Sequence, residues 1–122
     1  MNDSQALGVY DHAGSFARMG NDTRLFCDMV GFLRQDGPRC LQELQAALAQ
    51  QDSQRARHAA HALKGMVANF GAARAELAAR NVEQGTGRLS WTELSSSTAE
   101  LALALDELLA ALTPYFSVGD PV

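Results

Sequence analysis

Lysine is nearly missing from this sequence: of ten basic side chains nine are arginine, and Lys64 is the tenth. Basic residues are also outnumbered, 10 against 14 acidic, for a net charge of −4. With no basic stripe along any segment, nucleic acid is excluded as a natural partner. No apolar run approaches the roughly 18 residues that a membrane helix needs. The start, Met1-Asn2-Asp3-Ser4, lacks the basic region and apolar core of a signal peptide. Both absences point to the cytoplasm and away from a membrane. Cysteine is scarce as well. Cys27 and Cys40 fall on one expected helix, about 20 Å apart at 1.5 Å per residue, too far for a disulfide. Neither has a neighbouring histidine or a C-x-x-C spacing, so free thiols are expected. Convincing strands and internal repeats are absent too.

What remains is helical. The chain has 122 residues, 47% of them hydrophobic, enough for one domain with a real core. A short helix is predicted over Ala13–Met19, followed by a turn ending in an Asp22 cap. From there Phe26, Val30, Leu33, Gly37, Leu41, Leu44 and Leu48 keep one helical phase. Gly37-Pro38 interrupts this stripe and could mark two helices meeting at Asp36. Because the phase survives the proline, the pattern predicts one long helix over about 22–50, bent where Pro38 cannot donate to the Arg34 carbonyl. Asp52 or Ser53 caps the next helix, which Gly71 closes. Ala72–Gln84 forms another, with Ala75, Ala78, Ala79 and Val82 inward. Ser90 and Glu93 spell a capping box before the regular stripe Leu94, Thr98, Leu101, Leu105, Leu108, Leu112, Tyr115. Pro114 stops that helix. The fold class is therefore all-α: an up-down-up-down four-helix bundle with a short extra N-terminal helix. Residues 1–12 are expected as a flexible tail, 13–115 as the bundle, and 116–122 as a second tail.

The chemistry concentrates between Arg57 and Gly71. Ala56, Ala60, Leu63, Val67 and Phe70 mark one apolar helix face. His61 falls roughly 150° from the centre of that face at 100° per residue, so its imidazole should point into water. Gly65 lies one turn further along the exposed side, Ala68 continues it, and Lys64 sits at its edge. Glycine in a helix interior costs about 1 kcal/mol relative to alanine, and an exposed position has no packing reason for it. Close approach by another molecule would explain it. An ammonium, a point charge on a flexible stem, suits the following of a phosphoryl group.

His61-Ala62-Leu63-Lys64-Gly65, followed by Asn69-Phe70-Gly71-Ala72, resembles the histidine-containing phosphotransfer (HPt) domains of phosphorelays. Their pattern is H-x-L-K-G and then N-[LF]-G-[AS]. The resemblance extends from about Phe16 to Leu112. Met66 departs from it, standing where the family usually has a small residue; it lies off the exposed face, so a packing effect is expected. The resemblance implies a four-helix bundle acting as a phosphoryl carrier, not an enzyme, and without kinase activity of its own. His61 would take a phosphoryl group from a receiver-domain aspartate and pass it to another. An unperturbed, exposed imidazole, with a pKa of about 6.5, is mostly neutral and nucleophilic near neutral pH. The attacking nitrogen in the family is Nε2. Lys64 would offset charge on the phosphoryl oxygens, and Gly65 would admit the partner. Arg57, His58, Ala62, Ala68 and Asn69 would form the docking rim. The implied partners are response-regulator receiver domains or a hybrid sensor histidine kinase. No cofactor is expected on this chain, which is expected to be a monomer; Mg²⁺ is expected on the receiver.

Blander readings compete. A bundle of this fold could dock a signalling partner without phosphorylation. His58 and His61 could share a face as a metal pair, but ligand pairs on helices usually come with further ligands, and neither has a carboxylate four residues on. We therefore expect no metal site. Glu43, Glu76, Glu83, Asp106 and Glu107 are spread as solvated helix faces are, with no acid–base pair among them. His12, in the expected tail, has no assigned role.

Overall fold

The computed structural model describes residues 9–116. Of the tails expected over 1–12 and 116–122, residues 1–8 and 117–122 lie outside the described residues. Among these residues five α-helices follow one another: α1 (His12–Arg18), α2 (Thr23–Ala49), α3 (Ser53–Ala68), α4 (Ala73–Gly85) and α5 (Trp91–Ala111), with a closing 3₁₀ turn, Thr113–Tyr115. No strand occurs among the described residues. Helices α2 to α5 pack in sequence, each on the next, and α5 returns to α2. Short connections make consecutive helices antiparallel, the expected up-down-up-down bundle.

The helix starts follow side-chain chemistry. Asp22 accepts from the Leu25 amide and Asp52 from the Arg55 amide, each at 3.1 Å, satisfying amides that a helix N-terminus leaves unpaired. Ser90 and Glu93 form the reciprocal capping box at the head of α5. α2 runs unbroken through Pro38, so the two-helix alternative fails. Gly37 is buried there, and an added Cβ would lie 3.4 Å from Leu33 and Leu105 methyls. The core continues on both sides of the proline, and apolar burial of that kind outweighs one missing backbone hydrogen bond.

Small side chains set the spacing around α3. Ala56, Ala59, Ala60, Ala75 and Ala79 are all buried, which lets α2, α3 and α4 approach closely. Larger residues fill the rest of the core, among them Phe26, Leu44, Leu63, Phe70, Leu101 and Leu105. Cys40 is buried and donates its thiol to the Ala59 carbonyl at 3.3 Å. Burial pushes that thiol up from its ordinary value. Cys27 is a half-buried free thiol.

The N-terminal expectation needs correction. Residues 9–12 are packed: Tyr10 is only 6% exposed, and the Asp11 amide donates to the Phe70 carbonyl at 2.9 Å. Asp11 also caps α1 through the Gly14 amide. His12 stacks between Phe16 and Tyr115, with ring centroids 5.7 and 5.4 Å away, and meets Phe26 edge-on. Tyr10 Oη lies 3.2 Å from His12 Nδ1. Burial, with Tyr115 beside it, pushes the Tyr10 phenol up to about 12. At the other end Phe116 packs on the core and carries the Arg34 guanidinium 4.3 Å above its ring. An aromatic cluster from both ends of the chain therefore closes the bundle where α3 ends. Periodicity could not show it, because Tyr10 and His12 belong to no long stripe.

This packing predicts that Tyr10→Ala lowers the unfolding free energy by about 3 kcal/mol, as large-to-small changes of buried aromatics do. Denaturant unfolding measures it; a change within about 0.5 kcal/mol, the usual range for exposed residues, would contradict the packing.

Candidate functional site

His61 projects from the middle of α3. Its side chain is 65% exposed, and Nδ1 lies 2.8 Å from Glu83 Oε2 on α4. The second oxygen of the same carboxylate, Oε1, lies 2.8 Å from Lys64 Nζ. One carboxylate thus bridges an imidazole and an ammonium. Its partners, the Lys64 ammonium foremost and then the His61 ring, hold the Glu83 carboxyl below its ordinary range, against the opposing effect of burial. An ionised carboxylate only accepts hydrogen bonds. The proton shared with it must therefore sit on Nδ1, and in the neutral ring this leaves the lone pair on Nε2.

Sequence reasoning does not find Glu83, whose position in the sequence looks like that of the other solvated carboxylates. A signal was present. The turn at Asn69–Ala72 folds α4 back along α3, so residues near 80–83 stand level with His61. Glu76 and Glu83, seven apart, occupy one side of α4, and both are half-buried. Lys64, expected to face phosphoryl oxygens, is ion-paired here with Glu83.

Gly65 is exposed, and a Cβ added to it would find nothing within 4 Å. The fold supplies no reason for glycine here. Arg57 is exposed one turn before His61, and Ala62 and Ala68 are half-buried along the same surface. Asn69 is exposed at the end of the strip, and its carbonyl accepts from Arg18 at 3.2 Å. His58 is exposed but stands apart from the triad. It lines an open depression of about 450 Å³ with Glu43, Asp52 and Arg55 among others. Among the described residues no group of three or more His, Cys, Asp or Glu side chains is placed to hold a metal ion.

The second half of the motif is structural. Phe70 is buried within the aromatic cluster against Phe26. Gly71 has φ +61°, and a Cβ there would come within 2.7 Å of Asp11 Cβ. Only glycine meets both demands readily. Ala72 is fully buried at the start of α4.

The Glu83 pairing carries a pH signature. A carboxyl held low in the folded state contributes stability that is fully present above its ordinary value, about 4.5, and lost as pH falls through the folded value. Wild type should exceed Glu83→Gln in unfolding free energy above that range, and the gap should close in stronger acid. Denaturant titrations at several pH values measure it; a gap independent of pH would contradict the ion-paired site.

A family model described as the Hpt domain matches residues 28–112. The match begins inside α2, after the expected start near Phe16, and α1 lies outside it. No curated protein and no solved structure matches the chain. No helix among the described residues is long and apolar enough to cross a membrane. With His61, Lys64, Gly65 and Glu83 all inside the matched residues, the chain belongs to the Hpt domain family.

Proposed function

We propose that this chain is a phosphoryl carrier of a two-component phosphorelay, with His61 as the group that is phosphorylated. The observation that carries the reading is the exposed imidazole with Nδ1 held by Glu83 and Nε2 turned away from it. The Nε2 lone pair attacks the phosphorus of an aspartyl phosphate on a receiver domain. The N–P bond forms as the P–O bond to the aspartate breaks, and the aspartate leaves as a carboxylate. No proton has to depart from Nε2. The ring gains positive charge as it is phosphorylated, and the Glu83 carboxylate beside Nδ1–H stabilises that charge, as a buried aspartate does for the histidine of a serine hydrolase. Lys64, paired with the same carboxylate, turns part of its charge toward the phosphoryl oxygens. Transfer to a second receiver reverses these steps.

In this reading the chain is a carrier without kinase activity, working as a monomer in the cytoplasm beside its receivers or a hybrid sensor kinase. Mg²⁺ belongs to the receiver. The bare surface at Gly65 lets the receiver's active-site rim come close enough for in-line attack, which needs reacting atoms about 3–3.5 Å apart.

The test is incubation with a panel of phosphorylated receiver domains, and separately with phosphoramidate as a small donor, scoring acid-labile, base-stable phosphate on the chain. His61→Gln should lose all label and stay folded, its unfolding free energy within about 1 kcal/mol of wild type, since it gives up one exposed contact to Glu83. His58→Gln should keep the label. Label on His61→Gln, or its loss in His58→Gln, would refute the assignment.

Gly65→Gln separates fold from docking. It should melt no lower than wild type, because glycine is the poorer helix former by about 1 kcal/mol and the added side chain has open space. Its labelling by a receiver should fall at least tenfold, and labelling by phosphoramidate much less. Unfolding of this variant, or normal transfer from the receiver, would contradict the close-approach role.

A further inference from the structure

Beside the bare strip of α3, on the side toward α2, a small apolar crevice of about 50 Å³ opens between the two helices. Met29, Phe32, Met66 and Phe70 form its walls, and Asp36 and Asn69 add polar groups. Phe32 is 58% exposed, unusually so for a phenyl ring, while Met66 is half-buried. Met66 is also the one position in the histidine motif where this chain departs from the small residue usual in the resemblance. We propose that this crevice is a specificity pocket, taking one apolar side chain from the docking surface of the receiver domain. The proposal rests on the reading of His61 as the nucleophile that faces a receiver, and it names the residues that choose among receivers.

Geometry makes the receiver the occupant. Whatever phosphorylates His61 from an aspartate must lie over Gly65. A protein interface of standard size covers about 800 Å² on each side, a disc about 16 Å in radius. From His61 to Asn69 along α3 is about 12 Å at 1.5 Å per residue, and Met66 adjoins Gly65 in sequence. The crevice therefore falls inside the footprint of any receiver seated on His61. The strip itself, Ala62, Gly65 and Ala68, offers almost no side chain to grip. Phe32 and Met66 supply what it lacks. Phenylalanine and methionine are enriched in protein interfaces, and a methionine wall adjusts its shape to the group it receives. A residue on the strip thus admits every receiver, whereas the crevice distinguishes those with a fitting apolar side chain.

The test uses the receiver that labels wild type fastest in the panel, together with a slower one. Transfer is measured as KM and kcat in wild type, Phe32→Ala, Phe32→Gln and Met66→Ala, with Leu103→Ala as the control. Leu103 is 61% exposed but sits on α5, diagonal to the histidine helix. Melting curves establish that each variant folds, and the two Phe32 variants back each other up at an exposed helical position. The expected result is a rise of tenfold or more in KM for the fast receiver, with kcat and phosphoramidate labelling unchanged. The preference for the fast over the slow receiver should shrink by a similar factor. Unchanged KM, an equal loss in Leu103→Ala, or a uniform loss that preserves the preference would overturn the pocket. So would a Phe32→Ala effect confined to self-association of the free chain in sedimentation, which would make a second copy the occupant. Failure of phosphoramidate to label wild-type His61 would refute the underlying reading, and it is scored without any receiver present.

Discussion

The carboxylate of Glu83, bridging the His61 imidazole and the Lys64 ammonium at 2.8 Å each, is the contact through which the bundle reaches its surface chemistry. An exposed imidazole on an isolated helix would rotate freely and sample both tautomers. Pinned through Nδ1 to an anion on the neighbouring helix, it keeps one nitrogen protonated and presents the other. The arrangement needs α3 and α4 close together, because a glutamate has only a short reach. The buried alanines Ala60, Ala75 and Ala79 make that spacing possible. The composition of the core thus sets the position of a surface proton.

Two strategies meet on α3. Its inner face, Ala56, Ala60, Leu63 and Val67, is fully buried and fixes the helix against α2 and α4. Its outer face is stripped of side chains around His61. A rigid helix carrying a positioned imidazole suits repeated transfer between partners, since the geometry need not be rebuilt for each encounter. The aromatic cluster of Tyr10, His12, Phe16, Phe26, Phe70 and Tyr115 stiffens the end of this helix. That cluster draws on residues before the matched family region, so the N-terminal segment of this chain adds to the bundle.

The legible parts of the sequence were those written in long periodicities or local chemistry. The stripes of α2 and α5, the Asp22, Asp52 and Ser90 caps, and the exposed phase of His61 and Gly65 all follow from spacing and residue type. The phase of the Phe26–Leu48 stripe was also enough to carry one helix through Pro38. Less legible were contacts between elements. Tyr10 and His12 pack through a single turn that no periodicity describes. Glu83 looks like any surface glutamate until α4 is folded back on α3. Phe32 lies outside the apolar stripe, and its meaning depends on Met66 across the groove. In each case the missing information is which helix faces which, and that is set by packing.

In the proposed transfer His61 reacts through Nε2 because Glu83 holds the proton on Nδ1. Long-range ¹H–¹⁵N correlation spectra of the ¹⁵N-labelled imidazoles, recorded before and after treatment with phosphoramidate, test it most directly. The neutral His61 ring should carry its proton on Nδ1, and after reaction ³¹P coupling should appear at Nε2 of His61. A proton on Nε2 in the free ring, or phosphorus on Nδ1 or on His58, would contradict it.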